Sequence, residues 1–332
     1  MQQGMLCTLL LTFSLSMMPA RAVEISPQQR EQLLQDSQLQ QKVAELVEMA
    51  VKDDVDALNF ALQRLALPQQ EAVRYLLLQH LDQSQLVLTP YMVNFIESQR
   101  QAVPVYQTME KGEGYEFSVP AFDYQSIANR LIKQWNQDQR VLDLVFKAER
   151  YELNLQQWLS GHEHLVQARE ALLIRELGNL SPPAVRALTE QLTQAPVTSW
   201  LPTSSLMVRL AQVSEDPQVY KLLWLMRADF YIEQELDRLA RLARQGDEFA
   251  IGQLMVAEGN PRLKAQALQD LARLNPMSDE VKAFLVSRLG RADDAPIVAQ
   301  ALAEQGYQSW LNDLLVNNRE VKRHAILQVL SQ

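Results

Sequence analysis

The chain has 332 residues, with 31 Lys and Arg against 40 Asp and Glu, a formal net charge of −9 and 47% hydrophobic residues. So acidic a balance argues against nucleic acid or an anionic lipid surface as partner, because both need a basic footprint. Ten glycines in this length are well under the usual ~7%, which points to a chain with few turns and little sheet.

The N-terminus reads as a leader. Met5 to Met18 is an uncharged, mostly apolar run of 14 residues that ends in Pro19-Ala20-Arg21-Ala22. Cleavage before Val23 places Ala at −3 and −1, as signal peptidase requires. The run is shorter than the roughly 20 apolar residues of a membrane-spanning helix. Residues 1–22 are therefore expected to be a cleaved secretory signal peptide. The mature chain is expected to begin at Val23, with no stable membrane anchor, in the periplasm of a Gram-negative bacterium. The single cysteine, Cys7, lies inside this leader, so the mature chain carries no thiol into an oxidising compartment.

Helix signals follow at once. In Ser26-Pro27-Gln28-Gln29, Ser26 suits the N-cap, Pro27 the first helical position and Gln29 the return bond of a capping box. Leu33, Leu34, Val43, Leu46, Val47 and Ala50 then recur near a 3.6-residue period, with a break expected near Asp36-Ser37. Asp53-Asp54 opens a run over 55–67, Pro68 one over 71–81 and Thr89-Pro90 one over 91–100. Helices this short do not hold in water alone, so they must be stabilised by packing on one another.

One segment departs from the pattern. Two β-prone runs, Val103 to Met109 and Tyr115 to Pro120, flank Glu110-Lys111-Gly112-Glu113-Gly114, which predicts a β-hairpin or ordered extended insertion over 103–122. Pro104 and Pro120 would limit its strands. Helix resumes at Asp123, with Tyr124, Ile127, Leu131, Ile132 and Trp135 on one stripe. Val141, Leu142, Leu144, Val145 and Phe146 predict a separate following helix, and Leu153 to Leu159 leads to Gly161.

From Gly161 onward about eleven short helices are expected, separated near residues 179, 196, 202, 215, 228, 246, 260, 276, 292, 306 and 318. Ser181-Pro182, Asp216-Pro217 and Asn260-Pro261 each offer a capping residue followed by proline, while Gly178, Gly246, Gly259, Gly290 and Gly306 follow apolar runs. Paired as antiparallel hairpins, these helices give a period of about 30 to 36 residues, in the range of helical solenoids. Self-similarity agrees: Leu180 to Leu188 matches Val213 to Leu222, and Asn275 to Leu285 and Asn317 to Leu327 repeat a polar turn, Val, then Ala or Leu. This degenerate pattern resembles the second-helix start of HEAT-type repeats over residues 165–332. The resemblance implies an all-α fold of antiparallel helical hairpins stacked as an α-solenoid. The organisation expected is signal peptide 1–22, N-terminal helical region 23–102, β-hairpin insertion 103–122 and HEAT-like region 123–332.

Candidate chemistry is sparse. Gly161-His162-Glu163-His164 is the densest set of ligand-type residues, but histidines at i and i+2 diverge on a helix, unlike the i, i+4 pair of a zinc helix. His162 and His164 are thus weak metal candidates, and no cofactor is expected. Arg238, Arg241 and Arg244 recur at i, i+3 and i+6, as a stripe for an acidic partner or as a solvated face paired with Glu233, Glu235 and Asp237. Asp53-Asp54-Asp56 and Asp293-Asp294 fall where helices begin and complement the dipole. Trp135 and Trp224 read as core. Tyr106, Tyr115, Phe117, Phe122 and Tyr124 crowd the hairpin, as packing or as interface anchors. With no phosphate loop, nucleophile elbow or zinc signature, the expected function is non-catalytic protein binding, as scaffold, adaptor or assembly factor. Tyr106, Tyr115, Phe117, Tyr124, Arg238, Arg241 and Arg244 are the partner-binding candidates. The alternative is a helical hydrolase of cell-wall or peptide substrates, with His162, Glu163 and His164 in a cleft.

Overall fold

A computed structural model of the protein describes residues 23–84, 86–112, 114–194 and 200–331. The expected leader, 1–22, and the helix break near residue 196 lie outside the described residues. The fold is all-α, 71% helical, with eighteen helices and one small three-stranded sheet among the described residues. It divides into two compact units between Arg140 and Val141.

In the first unit the local signals act as the sequence dictates. Ser26 Oγ accepts from the Gln29 N–H at 3.2 Å and Gln29 Oε1 accepts from the Ser26 N–H at 3.0 Å, closing the capping box of α1 (Pro27–Gln35). Asp36 ends α1 and caps α2 (Ser37–Val51); Asp54 caps α3 (Val55–Gln63). After α4 (Gln69–Ser84), Thr89 caps α5 (Pro90–Gln101) through the Met92 N–H at 3.1 Å, while its hydroxyl donates to Asp53 at 2.5 Å. The apolar faces of α2 to α5 bury Leu46, Leu58, Leu77, Leu78 and Ile96 in one core with Phe122 and Tyr124.

The hairpin forms as expected, from β2 (Tyr106–Lys111) and β3 (Glu116–Pro120), antiparallel. It gains a third strand, β1 (Val23–Glu24), parallel to β2. The Val23 N–H donates to Val105 O at 2.9 Å and the Ile25 N–H to Gln107 O at 2.8 Å. Two residues carry no periodicity, so β1 had no signal in the sequence. Buried Glu71 of α4 accepts from the Val105 N–H at 2.7 Å and fastens the start of β2 to the helices.

A single helix, α6 (Tyr124–Glu149), of 26 residues, replaces the two expected over 123–146. Residues 136–140 are polar and exposed but contain neither Gly nor Pro, so their composition marks solvent contact and not a break. The division between units falls inside this helix, not after residue 122.

The second unit continues with α7 (Leu155–Trp158), α8 (Glu163–Glu176), a 3₁₀ turn, α9 (Pro182–Thr193), α10 (Ser204–Ser214), α11 (Pro217–Leu225) and α12 (Phe230–Arg244). It ends with α13 (Glu248–Ala257), α14 (Lys264–Ala272), α15 (Asp279–Leu289), α16 (Ala295–Glu304), α17 (Gln308–Asn317) and α18 (Arg323–Leu330). Ser181 and Asp216 cap α9 and α11 as expected. Asn260 Oδ1 accepts from the Arg262 N–H at 3.1 Å as a cap would, but the turn it opens becomes helix only at Lys264, the start of α14, and its amide donates to Trp224 O at 2.8 Å and Met226 O at 2.9 Å. Asp294 makes no side-chain cap bond; it is buried and accepts from Lys264 Nζ at 3.0 Å. Gly246 and Gly306 turn the chain with φ of 91° and 85°, a conformation glycine adopts without steric cost.

Two rows organise this unit. Helices α8, α10, α12, α14, α16 and α18 pack each on the next, and α9, α11 and α13 form a second row. One continuous core runs from Leu144 to Ile326. Side-chain hydrogen bonds join residues 33 apart (Thr203 to Glu170, Tyr307 to Leu274), 35 apart (Arg209 to Ile174), 36 apart (Asn260 to Trp224) and 30 apart (Lys264 to Asp294).

Candidate functional site

Three successive members of the first row, α8, α10 and α12, line a groove of about 880 Å³. Helical spacing explains the lining: Gln167, Glu170 and Ile174 share one face of α8, and Tyr231, Gln234, Arg238 and Arg241 share one face of α12. The opposite face of α12 is buried through Ile232, Leu236, Leu239 and Ala243. At the end where α10 and α12 begin, Glu170 accepts from the hydroxyls of Thr203 and of Ser205, the latter at 2.9 Å. Toward their C-terminal ends stand Arg209, Arg238 and Arg241. Arg209 Nε donates to Ile174 O at 3.3 Å, joining α10 to α8.

The floor is a closed polar network. Glu235, whose side chain has 0% exposure, accepts from the Tyr220 hydroxyl at 2.6 Å and from Gln212 Nε2 at 2.7 Å. Arg238 adds two donors, Nη2 to Oε1 at 2.7 Å and Nε to Oε2 at 2.8 Å. Both carboxylate oxygens are therefore taken by neutral donors and one bidentate guanidinium. Burial, followed by the adjacent Glu235 charge, drives the Tyr220 phenol well above its ordinary range. The hydrogen bonds to Glu235 hold the Arg238 proton more firmly than usual. Tyr220 also meets Trp224 and Phe249, at ring separations of 5.8 and 5.5 Å, so the network is seated in apolar packing.

The arginine stripe is accordingly not a row of free cations. Arg238 is bound to Glu235, and Arg244 lies 3.7 Å from Asp270 of α14. Asp270 also meets Arg273 at 3.3 Å, yet burial outweighs both cations and raises its pKa. Arg241 is exposed and lines the groove, and no described residue pairs with it.

The aromatic group at the hairpin divides. Tyr124 and Phe122 are fully buried, which makes Tyr124 a core residue and not an interface anchor; Arg74 lies over its ring at 4.9 Å. Tyr106 is partly buried against the same core. Only Tyr115 and Phe117 stand out, 65% and 38% exposed, with rings 5.6 Å apart. Trp224 is core as expected, whereas Trp135 is half-buried with no partner for its indole N–H among the described residues.

His162 and His164 sit exposed at the start of α8, their rings 6.2 Å apart, and Glu163 accepts from Gln167 Nε2 at 3.1 Å. None of the three lines the groove. Among the described residues no group of three or more His, Cys, Asp or Glu is arranged to hold a metal ion, and no helix is long and apolar enough to cross a membrane.

Sequence reasoning did not single out Glu170, Thr203, Ser205, Arg209, Tyr231 or Gln234. The available signal was slight, because a polar residue on a helix face reads as ordinary solvated surface until the neighbouring helices are placed. Comparison of the chain with protein-family models, curated proteins and solved structures finds no match.

Proposed function

We propose that the protein is an exported, periplasmic helical-repeat scaffold of HEAT-like type that binds a protein partner through the groove of α8, α10 and α12 and performs no catalysis. The groove carries this reading: it is open, about 880 Å³, lined by three consecutive elements of one row, and floored by a carboxylate whose oxygens are all engaged. A general acid or base needs a proton-accepting position facing its substrate, and Glu235 has none left to offer. Packing between successive row members, with bonds about one period apart, supports the stacked-repeat assignment. Export rests on the leader-like residues 1–22.

A photo-crosslinking residue at Gln234, exposed on the groove, tests the assignment when the full chain is produced in a Gram-negative host. The expected result is one dominant crosslinked protein that is absent when the probe is placed at exposed Arg291, together with an intact mass beginning at Val23. Equal labelling from both positions would remove the groove as the binding face, and a retained Met1 would remove the export assignment.

A further inference from the structure

The charges in the groove are unequally engaged. Glu170 receives two hydroxyls, Glu235 four hydrogen bonds, and Asp237 the Gln266 amide at 2.6 Å. On the cationic side Arg238 is consumed by Glu235 and Arg209 spends only its Nε, on Ile174 O at 3.3 Å, while Arg241 faces the groove with no partner among the described residues. The site's largest unsatisfied capacity is therefore the Arg241 guanidinium with five N–H donors, with the remaining donors of Arg209 second to it, and it is suited to a carboxylate in bidentate geometry.

An apolar lip stands at the other end. Phe230 and Tyr231 open α12, 65% and 49% exposed, with rings 5.7 Å apart, and Tyr231 lines the groove. Along α12, Tyr231 and Arg241 are about 15 Å apart at the helical rise, a distance that four to five residues of extended peptide cover at about 3.3 Å each.

We propose that this groove takes an acidic peptide segment of a partner protein, with a carboxylate on Arg241 and an apolar side chain against Tyr231 and Phe230. The inference rests on the reading of the groove as the protein-binding face and adds the chemistry it selects. A polyanion fits less well. Nucleic acid or polyphosphate needs a track of uncommitted cations, whereas Arg238 and Arg244 are already tied to Glu235 and Asp270 and the chain as a whole carries −9.

The test uses the whole chain and a fluorescein-labelled octapeptide, Gly-Phe-Ser-Gly-Ser-Asp-Asp-Gly, whose aromatic-to-acid spacing is set by the span above. Its Asn-Asn and Lys-Lys counterparts serve as comparisons, and binding is read by fluorescence anisotropy. At low ionic strength the Asp peptide is expected to bind at least about tenfold tighter than the Asn peptide, the equivalent of 1.4 kcal/mol. The preference should shrink with added salt, vanish in Arg241→Glu and persist in Arg291→Glu, an equal charge change on an exposed site away from the groove. Equal binding of the Asp and Asn peptides, or a preference that survives Arg241→Glu, overturns the proposal. Displacement by inorganic polyphosphate at lower concentration than by unlabelled Asp peptide overturns it as well, in favour of a polyanion site. If the Asn peptide binds equally well and loses affinity in Tyr231→Ala, the acidic selectivity fails while the groove remains a protein-binding face. If no peptide binds, the proposal falls, and the crosslinking at Gln234 judges the groove on its own.

Discussion

Removal of Glu235 should open the floor of the groove at a cost set by what is left behind. Glu235→Ala deletes the acceptor of four hydrogen bonds and leaves the buried Tyr220 hydroxyl without its carboxylate. Breaking one side of a buried ion pair costs about 3–5 kcal/mol. The surviving Arg238 side chain is 35% exposed and can rehydrate, which places the loss near the low end, about 3 kcal/mol. Arg238→Ala leaves the opposite survivor, a carboxylate with 0% side-chain exposure, so its loss should be larger, about 4–5 kcal/mol. Tyr220→Phe removes two hydrogen bonds to charged groups, the donation to Glu235 at 2.6 Å and the acceptance from Arg238 Nη2 at 3.0 Å, about 2–3 kcal/mol. Replacing both partners, as in Glu235→Leu with Arg238→Met, should recover most of the loss because no buried charge is left unpaired. Urea unfolding followed by tryptophan fluorescence reads these differences, since the Trp224 ring lies 5.8 Å from that of Tyr220. Glu235→Ala within about 0.5 kcal/mol of wild type, the level of an ordinary surface change, would refute the network as a stabilising element. An Arg238→Ala variant milder than Glu235→Ala would refute the survivor argument.

Asn260→Ala strands the carbonyls of Trp224 and Met226 and should cost about 2–4 kcal/mol; Asn260→Asp should be worse, since it sets a carboxylate against two carbonyl oxygens, and equal midpoints in urea would contradict both. Asp270 and Glu149 should give opposite pH responses. Burial raises the Asp270 pKa above its ordinary 3.8, so the folded state holds that proton more tightly and stability falls as pH rises through the window above 3.8; Asp270→Asn should flatten this slope. The hydrogen bonds of Ser181 Oγ and N–H, at 2.6 and 2.7 Å, lower the Glu149 pKa below its ordinary 4.5, so its contribution is present above 4.5 and is lost on acidification. Glu149→Gln should then differ from wild type at pH 7 and converge with it near pH 3, and melting curves at pH 3, 5 and 7 check both signs. Tyr115→Ser with Phe117→Ser should leave the far-UV circular dichroism unchanged, because both rings stand outside the core; loss of helical signal would show that the hairpin tip supports the fold.

Local chemistry made much of the chain legible. Ser26, Asp54, Thr89, Ser181 and Asp216 start helices because a short side-chain oxygen satisfies amides that no turn of helix can reach, a property of a few adjacent residues. The hairpin over 106–120 was legible for the same reason. Where a side chain also had a distant partner the local reading was incomplete: Asn260 keeps its local bond from the Arg262 N–H, and Asp294 makes no cap bond. Asn260 reaches back 36 residues to Trp224 O, and Asp294 takes Lys264 from another helix; neither partner can be guessed from its neighbours.

The sequence by itself determined the class: all-α, short capped helices and one hairpin, because caps, breakers and 3.6-residue periodicity act over one or two turns. Tertiary structure decided which polar residues are free to function. Arg238, Arg241 and Arg244 look equivalent along α12, yet stacking of α10, α12 and α14 brings Glu235 and Asp270 to two of them and leaves Arg241 facing open space. Tyr115 and Tyr124 look equivalent in the chain, yet one rests on a hairpin tip and the other under the core. Charge pairing and burial depend on what an adjacent element places within a few ångströms, and that distance is set only by the packing of one helix on another.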